Sequence, residues 1–101
     1  MTLKQYQSLC VTSEPKYLTR GQEALLGLMG LNAAAGKALG MYKETLFEGS
    51  GLPQEEVTEV LGEAIRHIAI IAHAADLELA DVLKKSVEKL EVKDVPKEET
   101  V

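Results

Sequence analysis

The sequence predicts an all-α fold, a bundle of about four helices with short connections, for three reasons. Apolar residues recur at the three- and four-residue spacings that place them on one helix face. Residues that favour helix starts precede these runs. No segment alternates between apolar and polar residues as a half-buried strand does. The chain has 101 residues, which suits one domain. We place that domain at residues 1–90 and expect residues 91–101, which are rich in charge, to form a flexible tail.

The first two helices are expected to begin at threonine caps. Thr2 is placed to cap a helix that runs to about Cys10, and residues 11–18 form a loop. Thr19 is placed to cap a long helix from Arg20 to about Leu46. Its many glycines and the run 33–35 of alanines leave a smooth surface, which suits close helix packing, a ligand site or a subunit contact. Its apolar faces come from Leu25, Leu28, Met29, Ala35, Leu39 and Tyr42.

The third helix is the most strongly patterned of the four. Pro53 suits its first turn, and Glu55 and Glu56 complement the positive end of the helix dipole. A short turn follows, and a fourth helix runs from Leu79 to about Leu90. The expected inward positions of the third helix are Val57, Val60, Leu61, Ala64, Ile65, Ile68, Ala72 and Ala75, and those of the fourth are Leu79, Val82, Leu83, Val87 and Leu90.

Charge and composition exclude several classes of function. The net charge of −5 opposes nonspecific nucleic-acid binding, which requires a basic surface. The single cysteine, Cys10, forms no intrachain disulfide and is expected to be a packed thiol. The residues after Met1 lack the apolar core of a signal peptide, and the longest apolar stretch, Ile68 to Ala75, is too short for a membrane span. We therefore expect a cytoplasmic protein without a membrane partner.

Two segments carry a family resemblance. Residues 30–37, GLNAAAGK, and residues 60–63, VLGE, resemble the metal-binding motifs G-L-x-x-E-A-G-E and E-L-G-D of the MazG-like nucleotide pyrophosphohydrolases. Residues 1–7, 24–31, 42–49 and 86–90 resemble further segments of that family in the same order. The resemblance covers about residues 1–90 and implies a MazG-like bundle of four to five helices. It also implies a dimer or tetramer formed through helix packing.

The resemblance implies a metal site whose ligands are mostly missing. Family members cleave nucleoside triphosphates between the α- and β-phosphates with magnesium or manganese, which carboxylates hold. The four acidic positions of the family are here Ala34, Lys37, Val60 and Glu63. Only Glu63 can coordinate a metal, and Lys37 is a cation where the family has an anion. We therefore expect no catalytic residue and no cofactor, and magnesium or manganese only if some hydrolysis persists.

The remaining charged residues near these motifs are candidates for binding an anionic ligand: Lys37, Lys43, Glu63, Arg66 and His67. Lys37 is either a solvated lysine, a point charge for a phosphate, or the partner of Glu63 in an ion pair. Glu59, Glu63 and His67 share a helix face, which suits either a relocated metal site or a solvated polar stripe. His73 is expected to be partly buried and hydrogen-bonded, because its neighbours are apolar.

Three functions remain open from the sequence. The first is a catalytically degenerate MazG-like protein that binds or sequesters a nucleotide or nucleotide-like anion without hydrolysing it. The second is a non-catalytic helical module that binds a protein partner. The third is a weak metal-dependent nucleoside triphosphate pyrophosphohydrolase. In each case the resemblance implies a homo-oligomer.

Overall fold

The computed structural model describes residues 1–90, which form four α-helices and no strand. The helices are α1 (Leu3–Thr12), α2 (Arg20–Glu48), α3 (Gln54–Ala74) and α4 (Leu79–Glu88). The predicted all-α class is confirmed, and each predicted helix is present with ends within about two residues. Pro53 stands at the N-cap of α3, just before the first turn in which we expected it. The predicted tail, residues 91–101, lies outside the described residues.

Threonine caps fix the starts of α1 and α2. The Thr2 hydroxyl accepts a hydrogen bond from the backbone N–H of Gln5, and the Gln5 side chain accepts one from the backbone N–H of Thr2. Thr19 and Gln22 form the same reciprocal pair at the start of α2. Each pair satisfies two N–H groups that a helix start leaves without partners. Gly49 ends α2 in the left-handed conformation, with φ of 75°, which glycine adopts without steric cost.

The helices α2 and α3 form an antiparallel hairpin. Arg20 contacts Asp76 near one end of the hairpin, and Lys37 contacts Glu63 farther along. The α2 residues that turn toward α3 include Ala24, Gly27, Leu31, Ala34, Ala38, Met41 and Thr45. Their alternating spacing of three and four residues is that of a coiled-coil seam. The small residues of this seam let the two helices approach closely.

The helices α1 and α4 pack on α3 and make no comparable contact with α2. The centre of this packing is a cluster of Cys10, Ala69, Ile70 and Leu79, with Tyr6 against it. Cys10 is buried, as the sequence predicted. Only one large side chain, that of Ile70, is almost completely buried in the described residues. The core of this chain is therefore small and lies to one side of the hairpin.

Much of the expected interior is exposed. Of the inward positions predicted for α4, Leu79 is buried, whereas Leu83, Val87 and Leu90 are exposed, so the prediction is wrong for these three. On α3, Leu61, Ile65 and Ile68 are exposed rather than inward, because α1 and α4 cover the opposite side of that helix. On α2, all of the large apolar residues named above are exposed: Leu25, Leu28, Met29, Leu39 and Tyr42.

Helix α2 is unusually apolar for one that packs on a single neighbour. By length and composition alone it could span a membrane, since an 18-residue segment of it has a mean hydropathy of 1.3, with 11% of that segment buried. No uninterrupted apolar stretch in the sequence indicates this property, because glycines, Asn32 and Lys37 interrupt the apolar residues of α2. A buried packing helix meets the same criterion, so the property is weak evidence for a membrane span.

Candidate functional site

Ala34 and Val60, two of the four positions at which the MazG-like family has acidic metal ligands, lie inside the contact between α2 and α3. Ala34 is 1% exposed and Val60 is 6% exposed, so both side chains are removed from solvent. Their burial follows from the heptad-like seam of α2 and from the apolar stripe of α3, which includes Val57 and Val60. A carboxylate at either position would be desolvated without compensation. The space that two ligands would need is occupied by the packing of the hairpin.

The other two positions pair with each other. The Lys37 Nζ atom lies 3.5 Å from Glu63 Oε2, the ion pair that the sequence allowed. The Lys37 side chain is 58% exposed and that of Glu63 is 35% exposed. An ion pair so exposed contributes on the order of 0–1 kcal/mol. The two charges therefore neutralise each other at the hairpin surface. Glu63, which is the one acidic residue left at the four positions, lies beside a cation.

The residues present do not fit a divalent metal. Ala34 and Val60 carry no donor atom, and the ammonium of Lys37 repels a cation from Glu63. In residues 1–90 no group of three or more His, Cys, Asp or Glu side chains converges as metal ligands do. Glu59, Glu63 and His67 share a helix but do not form such a group. We derive no reaction step through a metal.

His67 is turned into the hairpin contact. Its imidazole lies against Gly30 of α2, in space that a side chain at position 30 would occupy. The His67 Nδ1 atom is buried and has no hydrogen-bond partner within residues 1–90. His67 therefore packs between the helices and does not face the exposed pair of Lys37 and Glu63 as a ligand-binding group. Lys43 is exposed on the C-terminal part of α2.

A shallow groove of about 920 Å³ runs between α1 and α3. Among the described residues that line it, Arg66 is the one basic side chain, and Glu14, Glu59 and Glu63 supply three carboxylates. Tyr6, Leu9 and Cys10 form its apolar part. Desolvation by burial raises the pKa of Tyr6, interaction with the Cys10 thiol raises it further, and the charge of Arg66 opposes both effects. The groove brings two of the predicted candidates, Glu63 and Arg66, to one cavity.

A second polar cluster, which no sequence motif predicts, lies at the other end of the hairpin. Arg20 lies 3.1 Å from Asp76 and donates a hydrogen bond to the backbone carbonyl of His73. His73 Nε2 lies 4.0 Å from Glu23 Oε1. His73 is partly buried, as expected, and its 4.0 Å separation from Glu23 is too long for the hydrogen bond that was expected of its side chain. No spacing in the sequence identifies this cluster, since its members come from opposite ends of two long helices.

The largest uncovered feature is an apolar face on the α2–α3 hairpin. Each residue that comes one position after a seam residue of α2, such as Leu25 after Ala24, points about 100° away from the direction of α3. All of these residues lie on the same side of α2. The positions that follow the α3 seam residues Val60, His67 and Ile71 are turned to the same side, because the helices are antiparallel. The contacts of Lys37 with Glu63 and of Glu23 with His73 lie on the other side. We call the following eight exposed residues the apolar face: Leu25, Leu28, Leu39, Tyr42 and Leu46 of α2, and Leu61, Ile65 and Ile68 of α3.

The apolar face contains no charged residue, and α1 and α4 lie on the opposite side of α3. The sequence signal for it was present. Residues 25, 28, 32, 35, 39, 42 and 46 repeat the three- and four-residue spacing of the α2 seam, one position later. Two adjacent heptad-like stripes on one helix indicate two partners, and α3 is only one of them.

Comparisons with known proteins add no assignment to this geometry. No family model, no curated protein and no solved structure matches the chain significantly.

Proposed function

We propose that this chain is a non-catalytic helical interaction module, and that its apolar face is the surface through which it acts. The uncovered apolar face supports this proposal most directly. Single exposed apolar residues are ordinary on a protein surface, whereas a contiguous patch of eight large ones is typical of a binding surface. The sequence resembles the MazG-like family in the spacing of its two motifs, and three of the four acidic ligand positions hold Ala34, Lys37 and Val60 instead of acids.

The energetics of the apolar face favour a protein partner. Burial of apolar surface contributes about 25 cal/mol per Å². Leaving eight large apolar side chains in water therefore forgoes several kcal/mol, which a partner helix or helical pair would recover. The glycine- and alanine-rich seam holds α2 close to α3, so that side chains of both helices form one surface.

Site-specific photocrosslinking in cells tests this proposal. Benzoylphenylalanine at Leu28, in the apolar face, is compared with the same probe at Leu26. The two leucines are similarly exposed, at 51% and 47%, and lie on different sides of α2. We expect a discrete protein adduct from position 28 and none from position 26. Equal adducts from both positions, or none from either, would overturn the proposal.

Binding of a nucleotide-like anion in the groove is the second candidate. Arg66 and the groove volume favour it, since small-molecule pockets occupy roughly 300–1,000 Å³. The three carboxylates beside Arg66 oppose an anion. We expect calorimetric titration with ATP in the absence of metal to give no binding heat at millimolar nucleotide. Saturable binding that Arg66→Ala abolishes and Lys84→Ala preserves would establish this second function.

Residual hydrolysis is excluded or established by a separate measurement. We expect no pyrophosphate release from nucleoside triphosphates with magnesium or manganese. Release that Glu63→Gln abolishes would show that the remaining carboxylate supports catalysis, and would overturn the proposed non-catalytic role.

A further inference from the structure

We propose that the groove between α1 and α3 is a second docking surface, and that its occupant is a peptide segment of another protein that combines lysine or arginine with apolar side chains. The groove and the apolar face share no residue, so this site goes beyond the proposed function. Three features of the groove point to this occupant: its apolar lining, its carboxylates without ion pairs, and its open, elongated shape.

The apolar lining of the groove is continuous with the core. Tyr6 and Cys10 line the groove and also belong to the packed cluster around Ile70. Met1 and Leu9 line it as well, and both are more than half exposed, at 64% and 56%. Apolar side chains of a partner would therefore cover Met1 and Leu9 and pack against the edge of the core, which is favourable for both surfaces.

The charge of the groove selects a basic partner. Of its three carboxylates, that of Glu63 pairs with Lys37, whereas Glu14 and Glu59 form no ion pair within residues 1–90. Glu59 and Glu63 are also four residues apart on α3, a spacing at which like charges repel. An ammonium or guanidinium of the partner, placed between them, would remove this repulsion. The net charge of −5 favours encounter with a basic partner in the same direction.

Arg66 favours a peptide over a simple amine. It lies seven residues from Glu59, about 10 Å along α3, and forms no ion pair within residues 1–90. A guanidinium has five N–H donors and is costly to cover without acceptors. The carbonyl groups of a peptide backbone supply acceptors at such a distance from a basic side chain, whereas a small amine has none to offer.

The shape of the surface also suits an extended occupant. The groove is shallow, and a second depression of about 610 Å³ shares Met1 and Leu9 with it. Lys4, Ser8 and Thr12 line this second depression along α1. Sites for small molecules are concave enough to cover most of the ligand. Two shallow depressions that meet along one helix are better filled by a chain that lies across them.

Fluorescence anisotropy with a labelled peptide of about 12 residues, built from leucine and lysine, tests the proposal on the full chain. We expect saturable binding that weakens as salt screens the charges. Glu59→Lys and Glu14→Lys should each weaken binding at least 10-fold. Glu44→Lys is the matched control, because it makes the same charge change at an exposed position of α2 outside the groove, and it should bind within two-fold of wild type.

A charge exchange checks that the groove itself recognises the peptide. A peptide with glutamate in place of every lysine should bind wild type at least 10-fold more weakly than the lysine peptide, and should regain affinity for the double variant Glu14→Lys, Glu59→Lys. Circular dichroism shows whether each variant is folded. If Glu59→Lys loses helicity, Glu14→Lys in the turn after α1 supplies the same comparison.

Four results would overturn the proposal. The first is no saturable binding at 1 mM lysine peptide, and the second is equal weakening by Glu44→Lys and Glu59→Lys, which would show attraction to the overall charge. The third is loss of binding in Leu28→Glu, which would assign the peptide to the apolar face. The fourth is tighter binding of the glutamate peptide that Arg66→Ala abolishes, which would make the groove an anion site.

Failure of this docking site leaves the proposed function to its own test. The photocrosslink from position 28 reports on the apolar face, and the peptide titration reports on the groove. A discrete adduct from position 28 together with no peptide binding would keep the interaction module and overturn the groove as a docking surface.

Discussion

The imidazole of His67 fills the space that a β-carbon at position 30 would occupy. A Cβ built on Gly30 meets three atoms of the ring at distances that real side chains do not adopt. Gly27 is in a similar position, since a Cβ there would lie 2.8 Å from Ile71 Cγ1. The two glycines therefore set the separation of α2 and α3, and the packing of His67 depends on the missing side chain at position 30.

Gly30→Ala should destabilise the fold by about 1–3 kcal/mol despite the better helix propensity of alanine, because overpacking displaces the ring or the helix. Chemical denaturation, read as the change in midpoint at constant slope, measures this effect. Gly36→Ala is the control, since a Cβ at position 36 has no atom within 4 Å.

The control should stabilise the protein by up to about 1 kcal/mol, which is the helix-propensity difference between glycine and alanine. The double variant Gly30→Ala, His67→Ala should recover part of the loss, as expected for residues in direct contact. Equal effects of Gly30→Ala and Gly36→Ala would contradict the close approach of His67.

Gln7 connects α1 to the turn between α3 and α4. Its buried side-chain amide donates to the carbonyls of Ala69 and Leu77, and its carbonyl accepts from the backbone N–H of Leu79. Gln7→Leu keeps a similar volume and leaves these backbone groups without their partner. We expect a loss of about 2–4 kcal/mol in unfolding free energy, because unsatisfied buried polar groups are costly.

The matched control for Gln7 is Gln54→Leu, at an exposed position in the first turn of α3. Its effect should stay within about 0.5 kcal/mol, as for other surface substitutions. Native-state hydrogen exchange should also show faster exchange at the Leu79 amide in Gln7→Leu. Similar stability losses in the two variants would mean that the three hydrogen bonds of Gln7 contribute little.

Local signals in the sequence were sufficient to predict the helices. Thr2 and Thr19 are threonines with a glutamine three residues later, and this spacing defines a capping box without any tertiary information. Gly49 ends α2 for an equally local reason. The starts of α1 and α2 and the end of α2 therefore follow from residues that act within one helical turn.

The choice of buried face could not be predicted from local signals. Helix α2 has apolar residues on several sides, so its pattern does not show whether Leu25 or Leu31 faces α3. The polar Gln7 was also missed, because a glutamine on a short helix is usually exposed and its three partners lie more than 60 residues away. Tertiary packing decides both, and it leaves exposed many large apolar residues that the sequence pattern assigns to the core.

The Lys37–Glu63 ion pair should contribute little to stability. A double-mutant cycle with Lys37→Met and Glu63→Gln should give a coupling energy below about 1 kcal/mol, because both side chains are substantially solvated. The coupling should fall further at 1 M salt, where the Debye length is about 3 Å. The pair lies on the side of the hairpin opposite the apolar face, so a partner bound to that face should leave this small value unchanged. A coupling above 2 kcal/mol would show that a partner covers this side instead.

Ionisation of Tyr6 should destabilise the protein at alkaline pH. Its pKa is raised from the usual 10.0 by burial and by the Cys10 thiol, so the folded state holds the phenolic proton more tightly than the unfolded state. As pH rises above 10, the unfolded state loses this proton first, and the stability contributed by the neutral phenol declines until Tyr6 also ionises in the folded state.

Tyr6→Phe cannot ionise, so its unfolding free energy should fall less steeply above pH 10 than that of wild type. Denaturation midpoints at pH 8 and at several values above 10 measure this difference, and Tyr17→Phe, at an exposed position, is the control that should follow the wild-type curve. Parallel curves for wild type and Tyr6→Phe would show that the Tyr6 environment is as solvated in the folded chain as in the unfolded one.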